Sequence, residues 1–289
     1  MIYATVDDVV QLSGNDADTP TATQSARIFR VLNVVSRRVD REFGSTRPLF
    51  TPYLEQRIFP IDSAAIDSRY AVFRFPGSLL ESPTAVSAGG TALTVGTSVV
   101  LYPDANRPPF RALRLDNDLS WYYYAECIDD PPTVDITGVW GVHRDYASAW
   151  QSVDTLAVAI NASVTTLTVA DVDGADLYGL TPRISPGNLL RIDSEYLLVT
   201  ATNTTTNVVT VRRAVNGSTA AAHLIAAPVA VYSVEEIVRY EVARQANLMI
   251  ARQGAYTTVE ITGAGSEVRY PSDLLQSLRA VLNEFVYEA

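Results

Sequence analysis

The sequence predicts an α+β protein: a small helical bundle built from both chain termini, with two antiparallel β units inserted between them. Two observations predict it. Apolar residues recur at the helical period near the amino terminus and again after residue 233. Between them, residues 53–232 alternate at the strand period and are punctuated by turn residues. The expected division is 1–52 plus 233–289 as a helical core, 53–147 as a sandwich- or barrel-like β domain, and 148–232 as a smaller inserted β module.

Taken in order, Thr5 caps a short helix with Asp7 and Asp8 in its first turn, ending near Gly14. The stretch Thr21–Gly44 is the main helix. At about 100° per residue, Ile28, Val31, Leu32, Val35, Val39 and Phe43 form one apolar stripe. Arg27, Arg30, Arg37, Arg38 and Arg41 share a separate arc of roughly 100° facing mostly away from it. Thr21 or Thr23 serves as cap and Gly44 as stop. Pro48 and Pro52 then forbid helix.

Strands are expected at 56–59, 70–75, 84–87, 91–95, 98–102, 110–115, 121–128 and 133–139, with Gly89-Gly90 as a two-residue hairpin turn. In the second unit they are expected at 156–160, 166–170, 188–192, 196–201, 208–213 and 229–232, with a hairpin tip at Asn203–Asn207 and a crossing loop at 214–227. Ser233-Val-Glu-Glu236 reads as a capping box opening a helix to about Arg252. Pro271-Ser272 opens a last helix whose Leu274, Leu275, Leu278, Val281, Leu282, Phe285 and Val286 form the natural partner for the first stripe.

Composition excludes several classes. At 289 residues and 47% apolar, the chain can bury a substantial core and is not expected to be disordered. A net charge of −10, with a pI near 4.7, argues against binding nucleic acid through its phosphates. Every basic residue is arginine, a planar bidentate donor suited to carboxylate partners. One cysteine, Cys127, allows neither an intrachain disulfide nor a cysteine metal cluster. The opening decapeptide lacks a secretory signal pattern, and the longest apolar run is about half a membrane span. A soluble protein made in the cytoplasm, without membrane contact, is the expectation.

No catalytic, cofactor-binding or metal site is expected, and the chain does not read as an enzyme. His143 and His223, the only histidines, lie in no metal or triad spacing. Ser218 near His223 has no acid placed in sequence to orient the imidazole. Asp171-Val-Asp-Gly-Ala-Asp176 lacks the closing glutamate of a calcium loop and reads as a turn held by Asx hydrogen bonds. Trp121-Tyr-Tyr-Tyr124 alternates across a strand, leaving two aromatics outward for a subunit contact or a glycan. The arginine arc is expected to face acids across a subunit interface, because closely grouped like charges otherwise repel. The candidate interface residues are Arg27, Arg30, Arg37 and Arg41, met by Glu236 and Glu241, with Glu284 and Glu288 as further acids.

Several stretches then carry a resemblance. Tyr3-Ala-Thr-Val-Asp-Asp8, followed by Leu32-Asn-Val-Val-Ser36-Arg-Arg-Val-Asp40-Arg-Glu-Phe43-Gly44, resembles the amino-terminal half of head-to-tail connector (adaptor) proteins of tailed bacteriophages. Tyr102-Pro-Asp-Ala-Asn-Arg-Pro-Pro-Phe110 and Ile136-Thr-Gly-Val-Trp-Gly141 look like strands of the larger, β-decorated members. Ile192-Asp-Ser-Glu195 through Thr200, with Val211-Arg-Arg-Ala-Val-Asn216-Gly-Ser-Thr219-Ala-Ala-Ala-His223, is similar to a small β module of phage structural proteins. The resemblance implies a virion protein of the neck: a homo-oligomeric ring, usually twelve-fold, beneath the portal protein. Such a ring receives the next neck or tail-terminator protein and lets packaged DNA pass without specific binding. It also implies portal docking by the carboxy-terminal segment, with Arg269, Tyr270, Leu274, Leu278, Phe285 and Tyr287 as candidates. The long β units leave another role open, as a neck, tail or baseplate component that binds a surface glycan or receptor.

Overall fold

The computed structural model describes residues 1–14, 20–43, 48–60, 66–67, 72–104, 107–115, 133–177, 179, 181–252 and 279–280. Most of this is antiparallel β-structure. Fourteen strands among the described residues form two sheets of eight and six strands. Three helices are described in full: α1 (Val6–Leu12), α2 (Ala22–Phe43) and α3 (Glu236–Arg252). The expected α+β class, with a helical bundle as its organising core, is therefore corrected.

The reason lies in what covers α2. Its stripe, Ile28, Val31, Leu32, Val35 and Val39, is buried as expected. Helical cover comes from α3, through Val238, Val242, Ala243 and Ala246, and from Val9 of the seven-residue α1. The remainder of that core is β or loop material, including Phe50, Leu80, Val139, Tyr146, Leu189, Tyr196 and Tyr232. An apolar helix face needs a partner surface, and sheet residues serve as well as a fourth helix. Residues 2–39 and 234–246 contribute to one cluster. The last helix, expected as partner to the stripe, falls outside the described residues except for Arg279 and Ala280. Arg279 lies 2.7 Å from Glu42 at the end of α2.

Local sequence explains the helix starts. Thr5 and Asp8 form a reciprocal capping box for α1. Thr21 does the same for α2, its Oγ1 accepting from the Gln24 amide (3.3 Å) while Gln24 Oε1 accepts from the Thr21 amide (2.8 Å). The expected box at Ser233 does not form. The Ser233 amide instead donates to Ala149 O (2.8 Å), at the end of a strand. The helix begins at Glu236, with Glu235 O accepting its first bonds.

The larger sheet runs β5 (Thr91–Leu93), β4 (Ala85–Ala88), β8 (Thr133–Gly141), β3 (Val72–Leu79), β7 (Arg107–Leu115), β6 (Val99–Asp104), with β1 (Tyr53–Pro60) on β8 and β2 (Ile66–Asp67) on β3. Its interior is aromatic: Trp140, fully buried, is 5.3 Å from Phe75 and 5.8 Å from Phe59 between ring centres. Gly89 and Gly90, both at positive φ, turn β4 into β5 as a two-residue hairpin. The strand expected at 121–128 lies outside the described residues.

The smaller sheet runs β10 (Thr166–Thr168), β13 (Val208–Arg212), β12 (Glu195–Asn203), β11 (Leu189–Ile192), β14 (Pro228–Tyr232), β9 (Trp150–Thr155). Its two edges meet just beyond the strands, where Leu156 bridges Val169 and the Ala157 amide donates to Thr168 O (2.9 Å). The module is thus a small closed barrel around Leu167, Leu190, Leu197, Val209 and Val229. The strand expected at 156–160 instead occupies 150–155, because Trp150–Thr155 pairs with β14. Leu156 and Ile160 make single bridges only.

A tight contact joins the barrel to β1. The Asn216 side chain donates to Pro52 O (2.9 Å), and the Leu54 amide donates to Asn216 O (2.9 Å). Gly217 follows at φ +80°, and a Cβ there would collide with the Leu54 carbonyl oxygen. Gly217→Ala is therefore expected to lower stability by about 2 kcal/mol or more, through the left-handed backbone and the forced opening of this seam. A fall in the urea midpoint without a change in slope would record it.

Candidate intersubunit interface

The long helix separates two kinds of surface. Arg27, Arg30, Arg37, Arg38 and Arg41 are all exposed, as the helical period requires once the apolar stripe is buried. Val34, 47% exposed, sits among them. At the amino-terminal end of this face Ala22, Thr23, Ala26 and Val31 floor a shallow hollow of about 660 Å³, flanked by Arg27 and Arg30.

Two residues of the helix face inward and hold the chain's first residues. Ser36 is fully buried, and its Oγ accepts from the Tyr3 amide (3.1 Å). Asp40 accepts from the Tyr3 hydroxyl. Burial, reinforced by the neighbouring Asp40 charge, pushes the Tyr3 phenol well above its ordinary range, so it stays a proton donor. Burial also raises the Asp40 carboxyl. Asp8 on α1 meets Arg239 on α3 at 3.0–3.1 Å, tying the third helical layer down. Asp176 of the barrel approaches the same guanidinium at 4.0 Å. A cleft of about 510 Å³ opens here between residues 1–10 and the barrel, and its arginines, 183 and 239, are engaged with Asp171 and Asp8.

The expected acidic counterparts divide. Glu236 is exposed, with Arg239 3.9 Å away. Glu241 is buried and bonded to Arg244 of its own helix at 2.7 Å, so it is not a surface acid and is removed from the interface set. Glu284, Glu288 and the docking candidates Arg269, Tyr270, Leu274, Leu278, Phe285 and Tyr287 lie outside the described residues, as does Trp121–Tyr124.

The barrel holds a buried ionic network that sequence spacing did not reveal. Glu195, the first residue of β12, is fully buried. It accepts from Arg213 Nε (2.9 Å), the Ala221 amide (3.0 Å) and the Ala214 amide (3.2 Å), and its Oε2 lies 2.9 Å from His223 Nε2. The other ring nitrogen of His223 is 2.7 Å from Asp193 Oδ2. Acids therefore do orient this imidazole, which corrects the expectation from sequence. They come from the β11–β12 hairpin, Asp193 in its turn and Glu195 opening β12, about thirty residues away in the chain, and only strand pairing brings them near. No triad results. Ser218 Oγ instead accepts from the Tyr196 amide (2.9 Å) and donates to Val215 O (2.9 Å). What the network does is fix residues 213–223, the loop that carries the Asn216-Gly217 seam.

Burial alone would raise the Glu195 carboxyl, but Arg213, the Ala221 and Ala214 amides and His223 outweigh it and hold it at about 2, against an ordinary 4.5. Because the folded value is depressed, the stabilisation is complete above about 4.5 and is lost as pH falls towards 2. A difference of that size corresponds to roughly 3 kcal/mol. The thermal midpoint of the wild type is expected to exceed that of Glu195→Gln at pH 7, with the gap closing between pH 4.5 and 2.

His143, buried at the end of β8, accepts from the Asp145 amide through Nδ1 (3.2 Å) and lies 3.6 Å from Glu235. Burial lowers its pKa. Asp171 Oδ1 accepts from the Asp173 and Gly174 amides (3.2 and 3.1 Å), the expected Asx turn. Among the described residues no group of histidine, cysteine and acidic side chains is placed to hold a metal, and no helix is long and apolar enough to cross a membrane.

No protein-family model matches the chain, and comparisons with curated proteins and with solved structures return no similar protein.

Proposed function

We propose that this chain is a head-to-tail adaptor of a tailed bacteriophage. It is a structural virion protein of the neck, made in the host cytoplasm, that forms a ring beneath the portal protein. The ring is twelve-fold by family likeness, extends the DNA channel and presents the surface on which the next neck or tail protein docks. No catalysis and no cofactor belong to this reading.

The observation that carries it is the division of labour along α2. One face joins residues 2–9 and 234–246 in a shared core, while the opposite face presents five exposed arginines. A net-acidic protein with a separate cationic face suits heterologous contacts, in which one patch meets a different patch on the next subunit. Two residues of the resembling stretch, Ser36 and Asp40, secure Tyr3, itself part of the other resembling stretch. Net negative charge suits a conduit past which DNA slides, since phosphates are not gripped.

Mass photometry of the purified chain, alone and mixed with the portal protein of the same phage, tests the reading. A discrete complex of ring mass on the portal is expected. Persistent monomers that ignore the portal would overturn the adaptor reading.

A further inference from the structure

Asn216 precedes Gly217, and the sequence holds no other Asn-Gly pair. Glycine has no Cβ to shield its backbone nitrogen, so the Gly217 nitrogen can attack the side-chain carbonyl carbon of Asn216. A five-membered succinimide forms as Nδ2 leaves as ammonia. Water then opens the ring at either carbonyl, leaving aspartate or isoaspartate at that position. One water is consumed, one ammonia is released, and nothing is oxidised or reduced.

The fold exposes this pair and ties it down at once. Gly217 is exposed, so water reaches the turn. Asn216 Nδ2, the leaving group, donates to Pro52 O (2.9 Å). The Asn216 carbonyl, part of the peptide plane that joins it to Gly217, accepts from the Leu54 amide (2.9 Å). The Ser218 amide donates to Val215 O (3.1 Å), closing a turn in which Asn216 (φ 53°) and Gly217 (φ +80°) are both left-handed. The barrel interior holds the turn from behind. Ser218 Oγ accepts from the Tyr196 amide (2.9 Å), and Glu195 accepts from the Ala214 and Ala221 amides on either side (3.2 and 3.0 Å).

We propose that Asn216 is a site of spontaneous deamidation gated by the seam between the barrel and β1. Ring closure has to break the bond to Pro52 and turn the 216–217 peptide, so it waits on local opening. The product does not reclose the seam. An acceptor then stands where Nδ2 donated, facing the Pro52 carbonyl, itself an acceptor. Isoaspartate also lengthens the backbone by a methylene. Conversion is therefore a one-way release of the barrel's hold on β1, and it is independent of what the chain assembles with.

The test follows the full chain at neutral pH as wild type, Glu195→Gln and Ser218→Ala, sampled by trypsin digestion and mass spectrometry. Cleavage after Arg213 and Arg239 releases a peptide whose single asparagine is Asn216 and which has no glutamine, so an amide-to-acid mass gain reports this site alone. Wild type unfolded in guanidinium chloride supplies the unguarded rate. Folded wild type is expected to convert measurably, but about tenfold or more slowly than the unfolded chain. Each variant, checked as folded by circular dichroism, is expected to convert about threefold or more faster than folded wild type. Ser218→Ala leaves the Glu195 charge network intact, so it serves even if Glu195→Gln unfolds. Equal rates in folded and unfolded wild type, no gain in a folded variant, or no conversion in any folded chain overturns the gated site. Asn216→Asp makes the product directly and is expected to lower the urea midpoint; an unchanged midpoint overturns the one-way release.

Discussion

Replacing Arg213 with methionine is expected to destabilise the chain by about 3–5 kcal/mol at neutral pH. The guanidinium is only 6% exposed and its partner Glu195 not at all, so removing it leaves a carboxylate sealed in the barrel. The Ala214 and Ala221 amides and His223 remain, but none of the three replaces the lost charge in full. Arg213 also donates through Nη1 to Val164 O (3.2 Å) and through Nη2 to Ala221 O, so loop 160–165 loosens as well. The mechanism makes a second, less obvious demand. Adding Glu195→Gln should recover part of the loss, because a neutral amide still accepts from a backbone N–H without needing a counter-charge. Urea unfolding of the two variants measures both effects. If the double variant is weaker than the single by the full cost of a second lesion, the uncompensated charge is not the cause.

The triple variant Arg30→Ala, Arg37→Ala, Arg41→Ala is expected to leave the subunit folded and to weaken ring assembly roughly a hundredfold per contact. All three side chains are exposed on α2, away from the buried stripe, and alanine keeps the helix. The folded state therefore loses little, and the thermal midpoint should shift by no more than a few degrees. On the proposed reading each arginine meets a carboxylate across the interface, so that shedding three such pairs removes both steering and register. Mass photometry with the portal reads the assembly, and circular dichroism reads the fold. Undiminished assembly would make this arc a solvated face and place the interface elsewhere.

How much was legible in the chain follows from the range of the interactions. Local signals read correctly: the 3.6-residue period of α2, the Thr5 cap, Thr21 as one of two candidate caps, the Gly89-Gly90 turn and the Asx turn at Asp171 all depend on neighbours within four residues. Residues 234–246 do join the cluster that covers the α2 stripe, whereas the last helix, the partner expected for that stripe, lies outside the described residues apart from Arg279 and Ala280. The weight of β over α was not legible, because an apolar helix face does not announce whether a helix or a sheet will cover it. Ser233 failed as a cap because its amide is taken by Ala149, a contact 84 positions away. Glu241 looked like a surface acid beside Glu236, yet it faces inward and is matched by Arg244. The Glu195 network was hidden for the same reason as the β12 register: only the pairing of Ile192 with Glu195 brings the hairpin acids to His223.

The most direct test of the adaptor assignment is a low-resolution image of intact particles labelled on this chain, for example with a tag-directed gold probe on an exposed loop such as Asn203–Asn207. An adaptor gives a ring of label at the junction of head and tail, immediately below the portal. Label at the distal tail or baseplate, or none on the particle, would contradict that assignment.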